Sequence, residues 1–356
     1  MTAVVEVHAI FLRTLGRIGG GARFFTLGGT RMGASGLLPQ PDVEPEANGK
    51  FLTFVVPAPT GCNLKCSFCL VRQRREITET RLRPEDFARF IREVADRESI
   101  FALAIQGYEP LLPESLPYTQ AILATGRFLG LPTSLVTNGV RLFDAVDLLQ
   151  ALSPTKIAVS LDAARPELHD RIRGVNGAWD ASVAGLKRAL QVLAPRTRVV
   201  VQSVLLPSRR HHLDAMPSRL REIGVDRWII NPLLRVGHDQ AGGPVGDRAR
   251  LFRDLLILQE AADRAGIRLT VDDEFGNLGR DVASVFQPSL RALHMRTLPP
   301  NVELFRLAPG GQCSAGEDIL RQVTPEARCW QPGTVHAGDF LEALGKQTQS
   351  RRCQTT

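Results

Sequence analysis

The sequence has 356 residues, of which 44% are hydrophobic and 23% are charged, which is an ordinary composition for a globular enzyme. No apolar run approaches the roughly 18 residues of a membrane span, and no secretory signal begins the chain, so we expect a cytoplasmic protein with no membrane partner. The net charge of +7 suggests RNA or an acidic small molecule as a partner, but the basic residues are scattered in short runs, so we expect ordinary surface charge instead.

Residues 1–50 are predicted to form an irregular N-terminal arm or linker, because glycines cluster there and the segment PQPDVEPEANG follows. A helix is possible near 5–17. From residue 51 onward, apolar strand patterns alternate with helical patterns. The predicted strands cover 51–56, 100–105, 133–137, 156–161, 197–205 and 226–231. The predicted helices cover 84–98, 115–129, 141–152, 177–193, 212–224 and 246–265.

Six successive strand–helix units predict an α/β fold with a parallel sheet and right-handed crossovers. The periodicity is compatible with an open doubly wound sheet and with a curved, incomplete barrel. In both architectures, ligands bind at the carboxyl ends of the strands. We predict a core domain over 51–266 and a short C-terminal extension over 267–356, where the alternating pattern loosens.

Three of the six cysteines lie within eight residues, in the loop that follows the first predicted strand. Cys62, Cys66 and Cys69 have the spacing Cys-x3-Cys-x2-Cys, and three such thiolates can bind three irons of a cubane cluster. The loop has no fourth cysteine, which would leave one iron open for a small chelating molecule. A structural zinc ion normally takes four ligands, often from two separated cysteine pairs, and the sequence has no second pair.

This motif resembles the radical S-adenosylmethionine (SAM) superfamily, in which an aromatic residue precedes the third cysteine. The resemblance implies a partial (βα)6 barrel and a [4Fe–4S] cluster held by Cys62, Cys66 and Cys69. In that family the open iron binds SAM, whose reductive cleavage gives methionine and a 5′-deoxyadenosyl radical. The resemblance also implies that Phe68 lies beside the adenine, although ordinary packing explains a phenylalanine there equally well.

Two further motifs follow strands at the same edge of the predicted sheet. Gly107, Glu109 and Pro110 resemble the family's Gly-Gly-Glu-Pro signature, in which the glutamate and backbone groups hold the methionine ammonium. Tyr108 replaces the second glycine, a departure from the family pattern. Asn138 follows the third strand, where it is expected either to contact the cofactor or to form an ordinary Asn-Gly turn.

The fourth and fifth strands carry the remaining candidate contacts. Ser160 and Asp162, followed by a His-Asp-x-x-Arg-Gly segment, resemble the subgroup that contains molybdenum-cofactor and peptide-maturation enzymes. The resemblance implies that Ser160 and Asp162 contact the ribose or methionine carboxylate. Arg173 is expected to pair with that carboxylate or to form a surface ion pair. Gln202 is a polar residue in an apolar strand, where it would meet a ligand or form a structural hydrogen bond.

The C-terminal region leaves two questions open. Cys313 and Cys329 resemble a shortened version of the auxiliary-cluster region found in peptide-modifying and aminocyclitol-oxidising relatives, but they are also compatible with ordinary thiols. Cys353, in the tail, is expected to be exposed. The acidic run 272–274 follows a late strand, where it could act as a general base or form a solvated loop.

The leading functional hypothesis is a radical SAM enzyme that acts on a small polar substrate such as a sugar, an aminocyclitol or a nucleoside. Dehydration, oxidation, epimerisation and decarboxylation are all compatible with the sequence, and an electron donor such as flavodoxin or ferredoxin is expected. The alternatives are maturation of a ribosomally made peptide with an auxiliary cluster, RNA modification, and a non-enzymatic protein with a structural metal. The sequence assigns no catalytic residue beyond the cofactor ligands.

Overall fold

The computed structural model describes residues 48–69, 80–206, 212–232, 248–272, 295–296, 298, 301–315 and 329–353. The possible helix near 5–17 and most of the predicted arm lie outside these residues. None of the described helices is both long and apolar enough to cross a lipid bilayer.

The described elements alternate between strands and helices in the order that the sequence predicts. The strands are β1 (Asn48–Val55), β2 (Ile100–Gln106), β3 (Thr133–Thr137), β4 (Lys156–Ser160), β5 (Arg198–Leu205), β6 (Arg227–Pro232), β7 (Arg268–Asp272), β8 (Met295–Arg296), β9 (Asn301–Leu307) and β10 (Cys313–Ala315). The helices are α1 (Pro84–Ala95), α2 (Leu116–Phe128), α3 (Leu142–Leu152), α4 (Pro166–Arg173), α5 (Ala178–Leu193), α6 (Met216–Ile223), α7 (Arg248–Ala265) and α8 (Ala337–Cys353).

The strands form a single sheet in the order β10-β9-β1-β2-β3-β4-β5-β6-β7-β8. Every neighbouring pair is parallel except β9 and β10. A doubly wound sheet reverses its strand order at a switch point, whereas β1 to β8 follow one another without reversal. Right-handed crossovers then carry all the connecting helices to one face. The fold is therefore an unclosed partial barrel, which confirms the predicted fold class.

The sheet extends beyond the six predicted units at both of its edges. Strand β7 pairs with β6, and β9 returns to pair in parallel with β1, where Thr53 lies opposite Arg306. Strands on both sides of the predicted boundary at 266/267 thus belong to one sheet. The domain boundaries themselves stay a prediction.

The two faces of the barrel have different surroundings. On the outer face, side chains such as Leu52, Phe54 and Ile157 are buried in the main hydrophobic core against the helices. Since side chains alternate along a strand, the intervening residues face the interior of the barrel. Ser160 and Gln202 are register partners on β4 and β5 and lie on that interior face.

The sequence missed one helix and the strands β8, β9 and β10, and it misplaced several helix ends. Helix α4 has Pro166 in its first turn and ends at Gly174, whose φ of 73° is left-handed. At eight residues it is too short to produce a clear helical period. Helix α1 ends at Ala95 instead of 98, and α6 begins at Met216 instead of 212.

Candidate functional site at the carboxyl edge of the sheet

The three motif cysteines lie in the loop that follows β1, and all three are partly buried free thiols. Burial raises the pKa of Cys62 to about 11, and burial also raises the pKa of Cys66, an effect that Arg173 opposes. Such thiols stay protonated at neutral pH unless a metal displaces the proton. Three soft donors in one loop therefore fit three irons of a cubane cluster.

Helix α4 holds the cysteine loop in place through backbone hydrogen bonds. The amide of Lys65 donates to the carbonyl of Arg173 at 2.8 Å, and the amide of Ser67 donates to the carbonyl of Ile172 at 3.1 Å. A Cβ on Gly174 would lie 2.6 Å from the Lys65 carbonyl oxygen. The glycine of the His-Asp-x-x-Arg-Gly segment is therefore required for the close approach of the loop to the helix.

Hydrogen-bond donors surround two of the three sulfurs. The Leu64 amide and the Asn138 side-chain amide lie 3.4 and 3.8 Å from the Cys62 Sγ. The Arg173 Nη1 lies 3.6 Å from the Cys66 Sγ. Donors directed at ligating sulfurs favour the thiolate and tune the potential of an iron–sulfur cluster.

Glu109 is fully buried, and its carboxylate accepts three hydrogen bonds from the chain. The donors are the Thr137 hydroxyl at 2.6 Å, the Asn138 amide at 2.7 Å and the Leu111 amide at 3.1 Å. Burial raises the pKa of Glu109 to about 7, while these hydrogen bonds act in the opposite direction. Glu109 thus joins the ends of β2 and β3, and its contact with a methionine ammonium stays a prediction.

The rest of the Gly-x-Glu-Pro segment forms a compact turn after β2. Gly107 has a φ of 109°, and a Cβ there would lie 2.9 Å from the Val55 side chain, so only glycine fits. Tyr108, which replaces the second glycine of the family signature, is buried in a small apolar cluster beside Cys62. The carbonyl of Pro110 accepts a hydrogen bond from helix α2.

Asp162 and Arg173 form a buried ion pair. The Arg173 Nε lies 2.6 Å from the Asp162 Oδ2, and the side chains are 9% and 0% exposed. The other oxygen of Asp162 accepts a hydrogen bond from the Val204 amide at 2.9 Å. The ion pair considered for Arg173 therefore exists, but it is buried instead of lying on the surface. Contact of either residue with SAM stays a prediction.

The histidine and aspartate of the same segment form hydrogen bonds with backbone groups of the protein. The Nδ1 of buried His169 accepts a hydrogen bond from the Asp162 amide at 3.2 Å, and burial together with Arg173 lowers its pKa to about 4. Asp170 accepts hydrogen bonds from the amides of Gly177 and Trp179 at the start of α5. Sequence reasoning missed both roles, because the partners are backbone groups.

Four polar side chains on the interior face are half-buried and make no side-chain hydrogen bond within the described part of the chain. We call them the interior set: Gln106, Ser160, Gln202 and Asn231. Each lies near the carboxyl end of its strand. The sequence had not assigned Gln106, although its position at the end of β2 is the signal that identifies it.

Phe68 is partly buried against the apolar cluster formed by Ala163, Ile172 and Leu206. The Arg173 guanidinium carbon lies 5.4 Å from the centroid of its ring. This packing is the alternative that the sequence left open, and a contact with adenine stays a prediction.

The model of the radical SAM superfamily matches residues 56–216, which contain the cysteine loop, α4 and most of the strand ends described above. Residues 56–216 therefore form a radical SAM domain. Members of this superfamily use a [4Fe–4S] cluster and SAM, so these are the cofactors of the chain.

Curated radical SAM relatives resemble parts of the chain. A probable GTP 3′,8-cyclase from Thermococcus kodakarensis is 31% identical over 134 residues, which cover 38% of this chain and 42% of that protein. The FeMo cofactor biosynthesis protein NifB from Frankia alni is 24% identical over 323 residues, covering 82% of this chain and 62% of that protein. The chain thus matches less than two thirds of either relative's length.

Solved radical SAM structures share the fold. Streptococcus suis SuiB bound to the precursor peptide SuiA matches with a TM-score of 0.60 at 16% identity, covering 78% of this chain and 62% of that chain. At this level of identity, the likeness concerns the fold alone.

The C-terminal cysteines do not converge as the ligands of one auxiliary cluster. Cys313 lies on β10 and is buried in the main core, whereas Gln312 pairs with Cys329 across an antiparallel bridge. Successive residues of a strand point to opposite faces, so the two cysteines are directed away from each other. This arrangement favours ordinary thiols.

Two of the remaining sequence features are only partly described. Cys353 is the last residue of α8, and its side chain lies outside the described part. Asp272 ends β7, while the other two residues of the acidic run 272–274 are also outside it.

Proposed function

We propose that Cys62, Cys66 and Cys69 each bind one iron of the [4Fe–4S] cluster, and that the fourth iron takes the amino and carboxylate groups of SAM. When bound, the cluster supplies the electron that cleaves SAM to methionine and a 5′-deoxyadenosyl radical, which abstracts hydrogen from the substrate. The observation that carries this proposal is the set of three partly buried thiols in one loop at the carboxyl edge. The loop contains no fourth cysteine, so it would leave one iron of a cubane without a ligand from this loop.

We assign two roles in SAM binding to the residues of the chain, direct contact with SAM and positioning of the surrounding loops. Ser160 and Gln202 have free hydrogen-bonding groups on the interior face, so we assign them direct contacts with the ribose or the methionine carboxylate. Glu109 accepts three hydrogen bonds, and Asp162 accepts one and pairs with Arg173, so we expect both to act mainly by holding the surrounding loops in place. The sequence predicts SAM contacts at Phe68, Gly107, Glu109, Pro110, Asn138, Ser160, Asp162, Arg173 and Gln202, and for Glu109 and Asp162 we propose this positioning role instead.

We propose a small polar substrate, such as a sugar, an aminocyclitol or a nucleoside. Gln106 and Asn231 support this class, because their amides face the interior and have no partner among the described residues. Between them the interior is apolar, as at Val136 and Ala158. A few placed polar groups in an apolar cavity are typical of a small-molecule site. Dehydration, oxidation, epimerisation and decarboxylation fit equally, and a flavodoxin or ferredoxin would supply the electron.

The proposal is tested by anaerobic reconstitution with iron and sulfide, followed by dithionite and SAM. We expect about four irons per chain, as one cubane requires, and release of 5′-deoxyadenosine. Replacing Cys66 by Ala should abolish both, because it removes a ligand, whereas Cys353→Ala should leave both unchanged. Release of 5′-deoxyadenosine by the Cys66→Ala variant would contradict the proposal. Near eight irons per chain would instead indicate a second cluster.

A further inference from the structure

Arg173 contacts three groups at once at the carboxyl edge. Its Nε pairs with the Asp162 carboxylate at 2.6 Å, and its Nη1 lies 3.6 Å from the Cys66 Sγ. Its guanidinium also lies over the ring of Phe68. Its own carbonyl accepts a hydrogen bond from Lys65, so the backbone of the same residue holds the loop that carries the thiol.

Charge close to a cluster sulfur affects how easily the cluster is reduced. Reduction adds negative charge to the cluster, so a nearby cation favours the reduced state and a nearby anion disfavours it. Since Arg173 and Asp162 are almost fully buried, water screens their charges poorly. One nitrogen of the guanidinium lies next to the sulfur, and another pairs with the carboxylate, whose negative charge offsets part of the effect.

We propose that the Asp162–Arg173 pair sets the reduction potential of the cluster, with Arg173 as a positioning residue that donates a charge-assisted hydrogen bond to the Cys66 sulfur. This inference rests on the proposed ligation of the cluster by Cys66. It assigns Arg173 to the cluster instead of to the SAM carboxylate. It also explains why a guanidinium is suited to this position, because its fork of donors can reach a carboxylate and a sulfur together.

The chain contains a matched arrangement on its surface. Arg188 pairs with Asp147 through two contacts of 2.8 and 2.9 Å, and its guanidinium lies 4.7 Å from the ring centroid of Phe143. The residue types are the same, but this pair lies on the exposed surface between α3 and α5. Arg188→Gln is therefore the control for loss of an arginine, an ion pair and a ring contact without loss of a charge beside the cluster.

The test is the midpoint potential of the reconstituted cluster, measured by an anaerobic redox titration that is followed by electron paramagnetic resonance. Arg173→Gln should lower the equilibrium constant for cluster reduction roughly tenfold, a shift of about 59 mV to more negative potential for one electron. Asp162→Asn keeps the acceptor for the Val204 amide but removes the opposing charge, so the potential should become more positive. Arg173→Lys keeps the charge but loses the fork of donors, so its shift should have the same sign as that of Arg173→Gln and be smaller. Arg188→Gln should stay close to wild type.

Charge tuning predicts that the midpoint potential shifts in opposite directions in Arg173→Gln and Asp162→Asn. A purely structural role of the pair would instead cause loss of the cluster in both variants, or shifts in the same direction. Equal potentials in wild type, Arg173→Gln and Asp162→Asn would overturn the inference, and so would shifts of the same sign. If Arg173→Gln does not retain the cluster, the sign for Asp162→Asn decides the question. A wild-type protein with no cluster signal would instead overturn the proposed function, so the two failures are distinguishable.

Discussion

Two groups of polar residues at the carboxyl edge of the barrel differ in whether their side chains form hydrogen bonds or ion pairs within the protein. We call the first group the rim network, and it consists of Glu109, Asp162, His169 and Arg173. Each of these side chains has at least one hydrogen-bond or ion-pair partner in the protein. In the second, the interior set, no side-chain hydrogen bond forms within the described residues. Both groups lie at the carboxyl edge, and in the rim network the Nε2 of His169 is a buried polar atom that has no hydrogen-bond partner among the described residues.

The difference teaches that a motif residue need not be a ligand contact. Buried polar groups destabilise a protein unless they are hydrogen-bonded, and in the rim network Glu109 has three protein donors, whereas the Nε2 of His169 has no partner among the described residues. Its residues hold the cysteine loop and the strand ends in position. The interior set leaves partly buried amides and a hydroxyl unsatisfied, which is expected where a bound molecule completes the hydrogen bonds.

The strongest test of the rim network uses two buried groups whose pKa values shift in opposite directions. Burial raises the pKa of Glu109 from 4.5 to about 7, so its stabilising contribution is present below pH 4.5 and is lost as the pH rises to 7. Burial lowers the pKa of His169 from 6.5 to about 4, so its contribution is present above pH 6.5 and is lost as the pH falls to 4.

Each shift corresponds to about 3 kcal/mol, and in the wild type the two dependences nearly cancel. Relative to wild type, Glu109→Gln should gain stability as the pH rises from 4.5 to 7, and His169→Asn should gain stability as the pH falls from 6.5 to 4. The free energy of unfolding in urea, measured across this range, checks both slopes. Curves that run parallel to the wild type would show that these groups do not titrate in the folded protein as described.

A smaller effect is expected where α4 approaches the cysteine loop. Gly174 and Gly130 both have left-handed φ angles, but a Cβ meets the Lys65 carbonyl only at Gly174, while nothing lies within 4 Å at Gly130. Both alanine variants should lose about 1 kcal/mol for the backbone conformation. Gly174→Ala should lose roughly 1–2 kcal/mol more for overpacking, and it should also bind less iron. Thermal unfolding and iron content measure this, and equal behaviour of the two variants would contradict the packing argument.

Much of this architecture could be predicted from the sequence, because the alternation of buried strands and amphipathic helices is a local signal. All six predicted strand–helix units are present. Strand β9 was not recognised as part of the sheet, because its partner β1 is about 250 residues away in sequence and only the pairing of Leu52 with Phe305 reveals it. Helix α4 was missed because its eight residues are too few to give a clear helical period in the sequence.

The site was predictable in its residue types but not in its contacts. The spacing of the cysteines and the positions of the motifs at strand ends identified the region. The sequence could not show that Arg173 pairs with Asp162, or that Glu109 accepts hydrogen bonds from Thr137 and from backbone amides. These contacts depend on the register of neighbouring strands. Gln106 belongs to no motif, and its position at the end of β2 was the signal in the sequence that could have identified it.

The interior set predicts the smallest effect on stability. Replacing half-buried Gln202 with Leu removes an amide that has no partner among the described residues, so the free energy of unfolding should change by less than about 1 kcal/mol. The affinity for SAM should fall roughly tenfold, because one buried hydrogen bond is lost. Equilibrium binding of SAM to the reconstituted protein measures this, with the exposed Gln150→Leu variant as the control. Unchanged affinity for SAM, or a large loss of stability, would show that Gln202 has a structural role instead of contacting SAM.

The central claim is that three cysteines leave one iron of the cluster open for SAM. The most direct measurement is electron–nuclear double resonance of the reduced cluster, with SAM isotopically labelled at its amino nitrogen. The account predicts a hyperfine coupling between that nitrogen and the cluster in the wild type, and its loss in Cys66→Ala together with the cluster signal. A reduced wild-type cluster that shows no coupling to the labelled nitrogen would contradict the account.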